Sequence, residues 1–210
     1  WKILHPEKVL VGRAVTCRFV PTRVDLNDSV SKLVETEGRI GGQNSWVIDE
    51  LIENDVVVVD LFGKIRNGTF AGDNLSTAIQ TSTRRGMIID GGIRDSQGIL
   101  PLEEFNAFVL GFDPSAIADV TLAEINGITR IGEATCLPGD VVLGTLTGVI
   151  FIPAHLAEEV VTTSEYIRLK DEFGKLRLSE GVYTPGEVDR EFSAAMNEDF
   201  ERWKAEKAKA

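Results

Sequence analysis

The sequence predicts an α/β fold in which strands of mixed direction are wrapped by a few helices. Three consecutive segments carry this prediction. Val56–Asp60 is a run of four valines and an aspartate, which is typical of a strand buried on both faces. Apolar side chains recur at helical spacing from Asp73, and Met87–Asp90 is a second short apolar strand. A strand, a crossover helix and a second strand in this order favour parallel pairing.

The helix of that unit is expected to begin just after Gly72. Asp73 or Asn74 is the expected N-cap, because short side chains with an oxygen accept hydrogen bonds from the first helical turn. Ligands of open α/β sheets collect beyond the carboxyl ends of the strands, and helix N-termini attract anions. Arg94–Asp95 directly follows the second strand. The unit therefore predicts a small anion site formed by the helix start, a guanidinium and a carboxylate.

Each of these features also has an ordinary structural explanation. A helix that begins with Gly-Asp-Asn is often only a capped helix, here one that closes at Gly86. Gly91–Gly92 is usually a turn that needs positive φ. An adjacent arginine and aspartate commonly form a solvated pair that contributes about 0–1 kcal/mol. The site hypothesis rests on the convergence of the features within one unit.

The segments that flank this unit predict further strands and short helices. Lys8–Val20 is typical of a long strand, which Gly12 interrupts with a bulge or a close backbone approach. Beyond it, we expect short helices at 46–51 and 101–105, a strand at 108–110, and a hairpin of strands at 141–143 and 149–152.

The C-terminal part of the chain has the pattern of an amphipathic helix. Thr184–Pro185 is typical of a cap followed by proline in the first turn. Apolar side chains then recur at near-helical spacing at Val188, Phe192, Met196 and Trp203. Two interpretations stay open: a helix that docks on its own subunit, or an arm that packs on a neighbouring subunit.

The composition excludes several classes of function. A chain of 210 residues can bury one substantial core, and a net charge of −11 argues against a sequence-independent nucleic-acid binder. No apolar run is long enough to predict a membrane-spanning helix. Cys17 and Cys136 lack zinc-ligand spacing, and His5 and His155 are the only histidines, so we expect buried thiols in the reducing cytoplasm. The chain begins at Trp1 rather than methionine, which suggests that an amino-terminal segment precedes it.

A combination of motifs resembles the RraA-like family. The central motif is Gly72-Asp73-Asn74-Leu75, then Gly86, then Asp90-Gly91-Gly92-Ile93-Arg94-Asp95, with further similar segments at 11–16, 138–140 and 148–153. That family includes regulators of ribonuclease E activity and 4-hydroxy-4-methyl-2-oxoglutarate aldolases. The resemblance extends over residues 9 to 160.

The resemblance implies a fold and an assembly. The implied fold is a swivelling β/β/α-type sandwich with a partly closed mixed sheet, followed by a C-terminal helical arm. We accordingly expect an RraA-like domain at 1–163 and a helical extension at 164–210. The resemblance also implies a homotrimer with sites near the subunit interfaces.

The resemblance further implies a set of site residues. In the aldolase branch, a backbone loop holds the carboxylate of a pyruvate-like substrate, and the matching residues here are Gly72, Asp73, Asn74 and Leu75. Arg94 matches the substrate-binding and catalytic arginine, and Asp95 matches the carboxylate that holds Mg²⁺ or Mn²⁺. Asp73 is a candidate for the catalytic base, although its role as a helix cap explains it equally well. The aldolases generally carry an acid three residues after the metal-binding aspartate, where this chain has Gly98.

The leading functional hypothesis is a divalent-metal-dependent lyase that cleaves a 2-oxo acid by retro-aldol chemistry and also decarboxylates oxaloacetate. Its expected partner is a small 2-oxo acid, without nucleic acid or membrane. Two alternatives stay open. One is a non-catalytic, protein-binding regulator of the ribonuclease E inhibitor type. The other is a metal-dependent enzyme for a sugar-derived acid, with the segment 23–46 reshaping the pocket.

Overall fold

The computed structural model describes residues 1–209 and divides the chain into two compact units. The first unit is Trp1–Ala154, and the second begins at His155. The predicted domain boundary between residues 163 and 164 lies inside a continuous helix, Ala157–Ser179, of the second unit. Within residues 1–209, no helix combines the length and the apolar character that a membrane crossing requires.

The first unit alternates strands with short helices. Its strands are β1 (Lys2–Ile3), β2 (Leu10–Pro21), β3 (Asp55–Lys64), β4 (Gly86–Ile93), β5 (Asn106–Phe112), β6 (Val120–Ile125), β7 (Thr129–Ile131), β8 (Ala134–Cys136), β9 (Val141–Thr145) and β10 (Gly148–Ile152). Its helices are α1 (Val24–Ser31), α2 (Leu33–Glu37), α3 (Gln43–Asp49), α4 (Asp73–Thr83) and α5 (Ser96–Ile99).

A mixed sheet forms the centre of the first unit, as predicted. Its strand order is β1-β5-β4-β3-β2-β9-β10, and β6 also pairs with β2. The pairs β2–β3, β3–β4 and β4–β5 are parallel, whereas β1–β5, β2–β6, β2–β9 and β9–β10 are antiparallel. The long strand β2 pairs with β9 through its first half and with β6 through its second half, so the sheet curls into a half-barrel.

The β3 strand is buried on both faces, which confirms the interpretation of its valine run. Val57 and Val59 face the cluster that includes Trp46 of α3 and Ile79 of α4. Val56 and Val58 face a second cluster, which includes Ile88 and Phe108. Burying each such side chain contributes about 1.5–3 kcal/mol, so the sheet is stabilised from both sides.

The predicted β-α-β unit is present, but both ends of its helix differ from prediction. Helix α4 begins at Asp73 with Gly72 as its N-cap, and no side chain caps it, so neither Asp73 nor Asn74 is the N-cap. The helix ends with Arg84 in the left-handed conformation at φ 54° rather than at Gly86. Gly86 instead opens β4, where a Cβ atom would collide with the carbonyl oxygen of Asn106.

The glycine pair Gly91–Gly92 is not the turn that the dipeptide suggests. Both glycines lie within β4. A Cβ atom on Gly91 would lie 2.7 Å from the Leu61 Cβ atom, and one on Gly92 would lie 3.0 Å from the Ile65 carbonyl oxygen. A close approach of neighbouring backbone therefore requires these glycines. The same reason applies to Gly12, whose Cβ atom would lie 2.5 Å from the Asn54 carbonyl oxygen, so the approach is confirmed there and the bulge falls at Arg18/Phe19.

The prediction of a short helix at 101–105 is wrong. The chain forms α5 at Ser96–Ile99 instead, directly after β4. Pro101 lies just beyond the end of α5, where proline commonly follows a helix that it cannot continue. The predicted strand at 108–110, the helix near 46–51 and the hairpin β9–β10 are all present.

The second unit is helical. It contains α6 (Ala157–Ser179), α7 (Pro185–Val188) and α8 (Ala194–Lys207), with a 3₁₀ turn at Ala154–Leu156 before α6. Thr184 and Glu187 form a capping box at the start of α7, as the Thr-Pro pair indicated. The predicted single helix is interrupted between α7 and α8, and the long helix α6 was not predicted. Phe192, Met196 and Phe200 pack on Phe173 of α6, which agrees with a helix that docks within its own subunit.

Candidate functional site

The start of α4 and the end of β4 lie side by side, and the region around Gly72, Arg94 and Asp95 is here called the crevice. The backbone of Phe70 donates to the Gly92 carbonyl at 2.9 Å, and the backbone of Arg94 donates to the Ala71 carbonyl at 3.0 Å. These two bonds hold the loop before α4 alongside the end of β4. A Cβ atom on Gly72 would collide with Asp95 Oδ2 and would lie 2.9 Å from Arg94 Nε. The three features that the sequence predicted to meet are therefore brought together.

Asp95 has a left-handed backbone and a half-exposed side chain in the crevice. Its φ of 55° lies in the left-handed region, which is uncommon for residues other than glycine. Asp and Asn adopt this conformation more readily than other residues, and Asp119 has the same φ. The Asp95 side chain is 46% exposed, and its Oδ2 lies 3.2 Å from Arg94 Nε. Because so exposed a pair is weak, the carboxylate can also bind a cation from solvent.

Arg94 donates a hydrogen bond to Thr69, a buried residue that the sequence did not indicate as part of the site. The Arg94 side chain is 25% exposed, and its NH1 group donates to Thr69 Oγ1 at 3.5 Å. The Thr69 side chain is fully buried, and its hydroxyl donates to the Ser115 carbonyl at 2.6 Å. No local signal distinguishes Thr69, because it precedes Arg94 by 25 residues and meets it only through the fold.

The first turn of α4 leaves backbone donors available. The Ser76 N–H bonds to the Gly72 carbonyl at 3.0 Å, and the Asn74 N–H donates to Asp73 Oδ1 at 2.8 Å. The N–H groups of Asp73 and Leu75 have no intrahelical partner at these positions, and the positive end of the helix dipole adds to their field. This turn can hold a small carboxylate.

The residues present can accommodate magnesium or manganese at Asp95. Among residues 1–209, no group of three or more His, Cys, Asp or Glu side chains is arranged to hold a metal. A single carboxylate nevertheless suits Mg²⁺, which keeps several waters and is bound through one or two carboxylates together with substrate oxygens. The oxygen donor fits Mg²⁺ or Mn²⁺ better than zinc, which favours nitrogen and sulfur ligands.

The two cysteines do not contribute to such a site. Cys17 and Cys136 are both free and buried, as expected from the sequence. Burial, assisted by the Asp140 carboxylate, raises the pKa of the Cys136 thiol to about 12. Burial likewise raises the pKa of the Cys17 thiol far above its usual range. Because burial raises both pKa values, neither thiol has the low-pKa environment that is typical of a nucleophile or a metal ligand.

A second cluster of aspartate and arginine lies on the opposite face of the sheet. Asp60 of β3 and Asp90 of β4 are paired in register, and Arg130 NH2 lies 3.3 Å from Asp60 Oδ1 and 3.1 Å from Asp90 Oδ2. The backbone N–H groups of Phe62 and Gly132 donate to the same two carboxylates. Although Asp90 belongs to the same sequence motif as Arg94, its side chain pairs with Arg130, and Arg94 lies beyond the end of β4.

Comparisons with known proteins agree with this fold. The family model described as RraA-like, Aldolase/RraA, matches residues 1–151. An uncharacterised protein of Methanocaldococcus jannaschii is 26% identical over 180 residues, which are 85% of this chain and 77% of that protein. A protein of Halalkalibacterium halodurans, provisionally named a 4-hydroxy-4-methyl-2-oxoglutarate aldolase, is 28% identical over 159 residues, covering 74% of this chain and 75% of that protein.

A solved structure supports the same architecture. The crystal structure of RraAS2 from Streptomyces coelicolor, described as an unusual member of the RNase ES inhibitor RraA protein family, superposes with a TM-score of 0.66. The alignment covers 81% of this chain and 79% of that one at 23% identity. This likeness confirms the predicted fold.

Proposed function

The chain belongs to the RraA-like family, and from this premise we propose that it is a divalent-metal-dependent lyase that cleaves a 2-oxo acid by retro-aldol chemistry. The proposed aldol substrate is 4-hydroxy-4-methyl-2-oxoglutarate, and oxaloacetate decarboxylation is a second proposed activity. The observation that carries the proposal is the packing of Gly72 directly against Arg94 and Asp95. The name of the H. halodurans relative supports it.

The substrate is proposed to bind through its 2-oxo-carboxylate end. The first turn of α4, from Gly72 to Leu75, offers backbone N–H groups to the carboxylate. Arg94 faces the adjacent keto oxygen, and its buried partner Thr69 restricts the guanidinium to this side of the crevice. Asp95 is the proposed protein ligand of Mg²⁺ or Mn²⁺. Bound there, the metal supplies Lewis-acid stabilisation of negative charge on substrate oxygen.

Arg94 acts on the charge that develops during bond cleavage. In the aldol reaction, the C4 hydroxyl loses its proton and the C3–C4 bond breaks, so that its electron pair forms an enolate over C2 and C3. Arg94 donates a charge-assisted hydrogen bond to the C2 oxygen as it becomes negative. The C4 fragment leaves as one pyruvate, its C4 oxygen becoming a keto oxygen, and protonation of C3 converts the enolate into a second pyruvate. Decarboxylation of oxaloacetate passes through the same enolate but releases CO₂, and no hydroxyl proton is removed.

Asp73 is the proposed base for the C4 hydroxyl proton. Its carboxylate lies at the first turn of α4, beside the proposed substrate carboxylate site. One oxygen, Oδ1, accepts from the Asn74 N–H, and the other, Oδ2, which lies beside Gly98, is proposed to take the proton directly or through water. This role distinguishes the two activities, because only aldol cleavage needs the base.

A second candidate function is a non-catalytic, protein-binding regulator. Gly98 favours it, because this chain lacks the acid that the aldolases generally carry three residues after the metal-binding aspartate. The retained Asp95 favours the lyase, since a regulator needs no metal carboxylate. For either function we propose a cytoplasmic homotrimer, and the two reduced thiols suit that compartment.

The test measures steady-state pyruvate release from both substrates, with and without Mg²⁺ or Mn²⁺, in the native enzyme and in Asp95→Asn. Asparagine removes the charge but tolerates the left-handed backbone at this position, so the variant is not strained. Asp119→Asn is a matched control, because Asp119 is exposed and has the same φ of 55°. A metal-only blank removes the uncatalysed decarboxylation.

Metal-dependent turnover that disappears in Asp95→Asn and persists in Asp119→Asn is the expected result. Turnover of neither substrate, with Mn²⁺ binding retained, contradicts the proposed substrates. Absence of both turnover and Mn²⁺ binding favours the regulator.

A further inference from the structure

Gly98 lies against Asp73 across the crevice. It is exposed on α5, and a Cβ atom built there would lie 2.7 Å from both Cβ and Oδ2 of Asp73 and 3.1 Å from its Cγ. The backbone of Gly98 does not have a positive φ, so its conformation does not require glycine. The close approach of Asp73 does require it, because atoms that are not bonded do not come so near a Cβ atom.

The contact is one half of a reciprocal arrangement. Gly72, which precedes Asp73, lies under the Asp95 carboxylate, and Gly98, one turn after Asp95, lies under the Asp73 side chain. An aspartate at the start of each helix therefore packs on a glycine at the start of the other helix. Any side chain at either position would separate the two helix starts.

We propose that Gly98 is a positioning residue for Asp73. The absence of a side chain at position 98 lets the Asp73 carboxylate lie across α5, on the same crevice as Asp95. The space that a side chain at position 98 would occupy is filled by Asp73, so the acid found there in aldolases and the present Asp73 conformation exclude one another. The catalytic part of this inference rests on the proposed function, and the packing part does not.

The geometry predicts what Gly98→Ala does. The Cβ atom of Asp73 is one of the two atoms nearest to the new methyl group, and it is fixed to the backbone. Rotation of the carboxylate therefore does not remove the collision, and the start of α4 has to shift. The shift displaces the base while Asp95 stays on α5. The same turn carries the proposed carboxylate-binding N–H groups, so KM rises for both substrates. The kcat falls for aldol cleavage and is largely retained for decarboxylation, which needs no base.

The experiment is a double-mutant cycle of Gly98→Ala with Asp73→Gly, which removes the colliding Cβ atom. We expect Gly98→Ala to raise KM for both substrates, to lower kcat for aldol cleavage about tenfold or more, and to change kcat for decarboxylation by less than about threefold. It lowers the urea midpoint in the native background but has little effect in the Asp73→Gly background. Gly186→Ala is the matched control, because a Cβ atom at Gly186 meets nothing within 4 Å.

Two results overturn the inference: an equal urea shift from Gly98→Ala in both backgrounds, or an equal decrease in kcat for the two activities. The urea cycle is independent of activity. If the native enzyme releases no pyruvate while the urea shifts remain coupled, the proposed function fails and the positioning of Asp73 by Gly98 stands.

Discussion

Aspartate and arginine side chains form both the crevice and the cluster on the opposite face of the sheet, but their environments differ. In the cluster, the side chains of Asp60 and Asp90 are only 9% and 6% exposed, and Arg130 together with two backbone N–H groups supplies their hydrogen bonds. In the crevice, Asp95 is 46% exposed and its ion-pair partner is the neighbouring Arg94. Buried carboxylates with their hydrogen bonds satisfied stabilise a fold, whereas a half-exposed carboxylate beside a helix N-terminus is available for a ligand.

This comparison predicts that replacing Arg94 lowers the activity, whereas replacing Arg130 lowers the stability. Arg94→Ala is expected to lower kcat about 10²–10³-fold, because it removes a donor to the developing oxyanion. Its effect on the free energy of unfolding is small, since the guanidinium makes only a half-exposed ion pair with Asp95 and a long hydrogen bond of 3.5 Å to Thr69. Steady-state pyruvate release measures the loss, with Arg18→Gln as the control for an exposed, ion-paired arginine. Turnover like that of the native enzyme in Arg94→Ala contradicts the assignment.

Arg130→Gln is expected to lower the free energy of unfolding and to leave kcat nearly unchanged. It leaves two buried carboxylates without their shared cation, which costs about 2–3 kcal/mol after allowance for the exposed guanidinium. Urea denaturation measures the loss in the free energy of unfolding. The kcat of the folded variant stays near the native value, because Arg130 lies on the face of the sheet away from the crevice. A large loss of kcat in folded Arg130→Gln would show that the two regions are coupled.

Thr69→Val tests the support of the crevice. Valine keeps the shape of threonine but cannot accept from Arg94 or donate to the Ser115 carbonyl. We expect about a tenfold decrease in kcat/KM, since losing one hydrogen bond to a charged group costs about 1.5 kcal/mol or more. Thr69→Ser restores the hydroxyl and most of the activity. Equal activity of the valine and serine variants would remove Thr69 from the site.

The smallest effect is expected for the stability of Asp95→Asn in the absence of metal. Removing one carboxylate from an exposed ion pair changes the free energy of unfolding by less than about 1 kcal/mol. In the native enzyme, Mn²⁺ at 100 times its dissociation constant adds about 2.7 kcal/mol, and this increment is lost in the variant. Thermal denaturation with and without Mn²⁺ measures both quantities. Equal stabilisation of native and Asp95→Asn protein would place the metal elsewhere.

The parts of the structure that the sequence predicted correctly depend on local signals. The valine run at 56–59, the helical spacing after Asp73 and the apolar strand at 87–90 predict their elements without reference to the rest of the chain. Side-chain periodicity records which residues are buried, so these elements could be recognised. The α6 helix was missed because none of its residues before Phe173 is buried, and its sequence lacks a clear apolar stripe.

The sequence alone therefore determined the central β-α-β unit, the family and the group of residues around Gly72, Arg94 and Asp95. Tertiary structure decided what those residues do. Gly91–Gly92 lies in a strand that neighbouring residues approach closely rather than in a turn, and Asp90 pairs with Arg130. Thr69 accepts a hydrogen bond from Arg94, and Asp73 packs on Gly98. These contacts join residues that are distant along the chain, and the strength of each depends on distances and burial that no local pattern encodes.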